Sequence, residues 1–144
     1  MFPTFPPTDH FEEWEGIKRQ TQPDGKTCMH TCLAMALGVP VQRVIDKIGS
    51  DPFDEMKLHG LLERWGLVWN ACVYSRLVFR GWHFACVPSL NIRGGNHCIL
   101  LWWDPMEGKL VIMDPARGER YAKDGSNLRS WNQLTMFYPG GRIR

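Results

Sequence analysis

Neither a run of like charge nor a long apolar stretch occurs in this chain, and each absence removes a class of function. The 144 residues carry 17 Lys and Arg against 15 Asp and Glu, a net charge of +2, and the basic residues are scattered. A nucleic-acid-binding face would gather them into a stripe or cluster, so no nucleic-acid partner is expected. No apolar run reaches the roughly 18 residues that span a bilayer, so no membrane association is expected either. The opening MFPTFPPTDHFEEWEG lacks the basic and apolar regions of a secretory signal. The expectation is a protein kept inside the cell, in the cytoplasm. Internal repeats and low-complexity tracts are also missing.

Cysteine is present but in no framework. Cys28, Cys32, Cys72, Cys86 and Cys98 are odd in number and irregularly spaced, which predicts free thiols in a reducing compartment. A hydrophobic fraction of 44% and a charged fraction of 22% are those of an ordinary globular protein, and the length suits one domain. The seven tryptophans suggest an aromatic core in preference to an apolar cleft.

Local patterns divide the chain in two. Residues 1–20 read as an N-terminal arm, with Pro3, Pro6 and Pro7 holding it extended, followed by a short helix from Asp9 to Gln20. Residues 21–144 read as a single domain. Thr21 to Thr27, TQPDGKT, is a loop by its Pro-Asp-Gly chemistry. CMHTCLAMALG then reads as a helix with Thr27 as its cap and Gly38 as its stop. A second helix covers Val41 to Ile48. A third runs from about Phe53 to Trp65, capped by Ser50 or Asp51.

Strands are expected at Leu67–Val73, Phe84–Ile92, Cys98–Trp103 and Leu110–Met113, apolar or β-branched runs bounded by turn residues. SNLRSWNQLTMFY reads as a short helix leading into a terminal strand. A helical first half and an antiparallel second half make an α+β fold.

The chemistry starts at Cys28. A cysteine at a helix start meets free N–H groups and the positive end of the helix dipole, both of which favour the thiolate. Cysteine is also a common buried hydrophobe, so position alone does not assign it. Six residues earlier, Gln22 is placed to donate an amide N–H to an oxyanion, beside the Cys28 backbone N–H. Gln20 is not excluded from that role by spacing.

His97 opens HCILLWW and Asp114 closes LVIMD, with the turn DPMEG between them. A hairpin pairing Trp103 with Gly108 would set Ile99 opposite Ile112 and His97 opposite Asp114, on one face. The carboxylate would then hold one imidazole nitrogen and leave the other for a thiol. A slip of one residue would separate them. The bland alternative is a polar pair closing a hairpin.

Taken in order, Gln22, Cys28, His97 and Asp114 resemble the papain-like cysteine peptidases. Within that group the likeness is to the bacteriocin-processing (double-glycine) peptidase family and its stand-alone relatives. It is carried by CMHTCLAMALGVP and by GGNHCILLWWDPMEGKLVIMDPARG, and extends loosely from Gln20 to Trp131. The resemblance implies a papain-like fold, with the nucleophile helix packed on an antiparallel sheet. It implies a Cys28 nucleophile, a His97 base, an Asp114 orienter and a Gln22 oxyanion donor. A peptide or isopeptide bond of a peptide or protein substrate would be cleaved through a thioester acyl-enzyme. Met29 departs from the family, which commonly has Gly after the nucleophile.

No metal and no organic cofactor are implied. A zinc site built from Cys28, Cys32 and His97 would consume the nucleophile, and its spacing is not that of common zinc motifs. Two other readings stay open: an acyl or amide transferase, and a silent fold that binds or inhibits a partner. His10, His30, His59 and His83 are assigned surface or core roles. Cys72, Cys86 and Cys98 are read as packing residues, with Cys32 in the core beneath the nucleophile.

Overall fold

A computed structural model describes residues 11–73, 76–88, 95–116, 131 and 133–144. The fold is α+β, and the described residues form three helices and two antiparallel sheets. Residues 1–10, the prolines of the arm and His10 included, lie outside the described residues, as do 89–92 of the second expected strand and residues 126–130.

The short helix expected before Gln20 is not there. Over the described residues that segment is a hairpin, β1 (Glu13–Trp14) paired with β2 (Ile17–Lys18). Its turn places Glu15 at φ 45° and Gly16 at φ 82°. Two successive positive φ values are what a tight two-residue hairpin turn needs. The hairpin packs on the body: Ile17 is fully buried in the main core, and Trp14 meets Trp102 edge-on at 5.5 Å. Residues 11–20 therefore share one core with the helices and the larger sheet.

α1 (Cys28–Leu37) runs through the centre, with every residue after Cys28 buried. Being apolar on all sides, it needs partners all round. It ends at Gly38 in the left-handed conformation, φ 70°, where a glycine carries no Cβ penalty. Thr27 occupies the cap position without capping. Its hydroxyl donates to Asp24 Oδ1 at 3.0 Å instead.

α2 (Val41–Ile48) packs against the core through Val41, Val44 and Ile48, one helical face. α3 (Glu55–Arg64) buries Leu58, Leu61 and Leu62. Its cap is Asp54, not Ser50 or Asp51, because the Asp54 carboxylate accepts the Lys57 N–H at 3.0 Å and satisfies an otherwise orphaned donor.

β3 (Trp69–Ala71), β4 (Gly81–Pro88), β5 (Asn96–Asp104), β6 (Lys109–Met113) and β7 (Gln133–Phe137) form one sheet in the order β3-β7-β4-β5-β6. Alternation divides its residues between two clusters. Phe84, Cys98, Leu100, Trp102, Val111 and Met113 join the helices, whereas Ala85, Val87, Ile99, Leu101, Leu110 and Ile112 form a second cluster. The tail after β7 crosses back over the helix ends, with Gly140 N–H on Ala36 O and Arg142 N–H on Trp65 O.

The β5–β6 register differs by two residues from the sequence expectation. Trp103 pairs with Leu110 and Asp104 with Lys109. The Asp104 carboxylate accepts N–H bonds from Met106 and Glu107, which makes Asp104 the first residue of the turn. Gly108 sits at φ 62°, a left-handed conformation that a ladder residue does not adopt. A slip of two preserves parity, so His97 and Asp114 keep to one side as a diagonal pair.

Candidate active site

Three elements converge at the mouth of α1. The loop of residues 21–27 delivers Cys28 to the helix start, the first turn of β5 carries His97, and Asp114 follows β6 directly. The loop is tied to the sheet where Gln22 N–H donates to Pro115 O at 2.7 Å.

His97 Nε2 lies 2.7 Å from Asp114 Oδ1. The same oxygen accepts the Ala116 N–H at 2.8 Å, so the carboxylate is an acceptor and Nε2–H is the donor. This leaves Nδ1 for the thiol, and Cys28 and His97 lie on the same cleft and shift each other's basicity. The Asp114 side chain is fully buried and that of His97 is 12% exposed.

These contacts decide the protonation states. Burial pushes the Cys28 thiol up, but the His97 hydrogen bond, the Cys98 N–H, the His97 charge and the Met29 N–H together bring it below its ordinary value. For His97, burial opposes the charged form. The hydrogen bonds and charges of Asp114 and Cys28 overcome this and raise it to about 9. The imidazole is thus raised and the thiol lowered, the directions in which a coupled thiol and imidazole favour their charged forms.

The pair opens on a cleft of about 860 Å³, walled by Met29, Phe53, Glu55, Cys86 and Gln133 among others. That is large enough for a peptide-sized or drug-sized ligand. Met29, where the resembled family has Gly, is buried and forms part of the wall.

The two glutamines are distinguished by their bonds. Gln20 is spent at both ends on the α1–α2 connection, donating to Val39 O at 2.6 Å and accepting from Val41 N at 2.9 Å. Gln22 is buried beside the Asp114–Pro115 step. One of its amide N–H groups donates to Asp24 O at 2.6 Å, and its Oε1 has no hydrogen-bond partner among the described residues. Gln22 does not line the cleft.

Cys32 is fully buried beneath Cys28 and donates to Cys98 O at 3.4 Å. Cys86 and Cys98, read from sequence as packing residues, line the cleft beside Cys28. Their position comes from strand pairing, in which Cys86 is the Cα partner of Cys98, and local apolar pattern does not report it. Sequence reasoning also missed the Gln133 group. Gln133 donates to Thr135 Oγ1 at 3.0 Å, and His59 Nε2 lies 2.9 Å from that hydroxyl, with its ring stacked on Trp69. His30 and His83 are buried, His30 edge-on to Phe53.

Among the described residues no group of three or more His, Cys, Asp or Glu side chains is arranged to hold a metal ion. None of the described helices is long and apolar enough on its own to cross a membrane. No model of a known protein family matches the chain, and no curated protein matches it.

Proposed function

We propose that this protein is a cysteine hydrolase of papain-like arrangement that cleaves a peptide or isopeptide bond. One observation carries the reading: a thiol at a helix N-terminus, on the same cleft as an imidazole whose Nε2 is held by a buried carboxylate. Such a set needs no further activation to attack a carbonyl carbon.

In the reaction, Cys28 thiolate attacks and the negative oxygen is met by the Cys28 backbone N–H. For Gln22 to supply the second donor, its amide must release Asp24 O and turn toward the cleft. His97 protonates the leaving amine, and a thioester forms. Water, deprotonated by His97, then releases the acyl group. Asp114 keeps the ring oriented throughout. A peptide or protein substrate in a reducing, cytoplasmic setting suits five free thiols. Transfer of the acyl group to another amine would use the same residues.

A second reading, a papain-like fold that binds without turnover, is favoured by the engagement of Gln22 with Asp24 and its place outside the cleft lining. The test is mass spectrometry after treatment with an electrophilic peptide probe. Modification of Cys28 alone, lost in His97→Ala, supports the hydrolase. Equal labelling of Cys28 and Cys86 in the presence and absence of His97 rejects it.

A further inference from the structure

Four of the five cysteines gather at one place, yet hydrolysis uses only Cys28. Cys86 and Cys98 are Cα partners across β4 and β5, and each thiol shifts the other's basicity. Cys32 donates to the Cys98 carbonyl at 3.4 Å. The neighbours of Cys28 differ in access. Cys32 is sealed and Cys98 is 2% exposed, whereas Cys86 is half-buried and faces the same cleft as Cys28. An oxidant must enter and water must leave; Cys98 reaches the cleft wall but is nearly sealed, so Cys86 is the neighbour better placed for both.

We infer that Cys86 is a resolving thiol for Cys28, so that a peroxide closes the site reversibly as a Cys28–Cys86 disulfide. In the first step the Cys28 thiolate attacks a peroxide oxygen and the O–O bond breaks. Cys28 becomes a sulfenic acid, and the peroxide's other oxygen leaves as water or an alcohol after taking a proton. In the second step the Cys86 sulfur attacks the Cys28 sulfur and the S–O bond breaks. The hydroxyl and the Cys86 proton depart as water. Two thiols have lost two electrons and one peroxide has gained them.

The electrostatics favour this order. The neighbouring Cys98 thiol and burial keep Cys86 protonated, helped by the negative charge of the Cys28 thiolate. Cys86 therefore does not compete for the oxidant. Once Cys28 is a neutral sulfenic acid, its opposing charge is gone. Capture by Cys86 also protects Cys28 from the irreversible sulfinic and sulfonic steps.

The inference rests on the Cys28 thiolate of the proposed function but not on turnover, so its test reads sulfur chemistry alone. The reduced protein is treated with hydrogen peroxide, capped, digested without reductant and mapped by mass spectrometry. The expected product joins the Cys28 and Cys86 peptides, lacks two hydrogens, and returns to the free thiols with dithiothreitol. Cys86→Ser is expected to lose that recovery and to accumulate sulfinic and sulfonic acid at Cys28, whereas Cys98→Ala keeps the bridge. A bridge from Cys28 to Cys98 or Cys32, or unbridged over-oxidation of the wild type, overturns the inference. Selective iodoacetamide labelling of Cys28 in the untreated protein separates this failure from failure of the hydrolase reading.

Discussion

His83 and His97 lie near the starts of neighbouring strands, both largely buried, and their basicities move in opposite directions. Burial lowers His83 to about 4, and only carbonyl contacts from Gly81 and Leu101 oppose it. Its Nε2 has no hydrogen-bond partner among the described residues. His97 is raised to about 9 because Asp114 and Cys28 outweigh the same desolvation. A buried imidazole beside backbone dipoles stays neutral and acts as core, whereas one beside a carboxylate and a thiol becomes a stored cation. The partner, and not depth in the fold, separates a packing residue from a candidate base.

The largest expected effects come from removing either member of the thiol–imidazole pair. Cys28→Ala should abolish acyl transfer, and His97→Ala should cut it by about 10² to 10⁴. The same variant should move the onset of Cys28 alkylation to higher pH, toward the ordinary thiol value, since the thiolate has lost its cation. A pH series of iodoacetamide rates checks this, and an unmoved onset would break the contrast between the two histidines.

The next effect is on stability and belongs to His83. Its folded value of about 4 lies below the ordinary 6.5, so between these values the unfolded chain binds more protons. Stability should therefore be intact at neutral pH and fall as pH drops from 6.5 toward 4, by about 3 kcal/mol in all. His83→Phe should remove that part of the acid loss. Urea melts of both proteins across the window measure the difference, and parallel curves would show that His83 does not carry it.

How much of this was legible depended on range. α1 was readable because helix formers run from a loop of Pro-Asp-Gly to Gly38, all within neighbouring residues. α2 was readable from its breakers, Pro40 and Gly49. The His97–Asp114 contact was readable because strand parity survives a two-residue slip, although the register itself was not. That register depends on the Asp104 side chain binding its own turn and on Gly108 at positive φ, choices between adjacent turns that composition leaves nearly degenerate. The Glu15–Gly16 hairpin was missed because a non-glycine at positive φ is uncommon, and its support, Trp82 Nε1–H donating to Glu15 O at 3.1 Å, comes from far along the chain. Cys86 was placed among packing residues because alternation shows that it points toward the helices, but not that α1 leaves a cleft open there. Gln22 and Gln20 separate only through long-range bonds to Pro115, Val39 and Val41.

The smallest and sharpest change would convert His97 toward the condition of His83. In Asp114→Asn the Oδ1 atom can still accept from His97 Nε2 and from Ala116 N–H, so orientation is kept while the charge is lost. Without that charge, desolvation regains weight and His97 should fall from about 9 toward or below 6.5. The wild-type rate should rise as Cys28 ionises and decline only above about pH 9, where the imidazolium is lost. In Asp114→Asn that alkaline limb should descend into the neutral range, with little change in rate on its acid side. Asp114→Ala loses orientation as well, and should lower the maximum on the order of a hundredfold in addition. Steady-state rates across pH for the three proteins separate charge from positioning. An alkaline limb that stays put in Asp114→Asn would mean that Cys28, and not the carboxylate, keeps His97 charged.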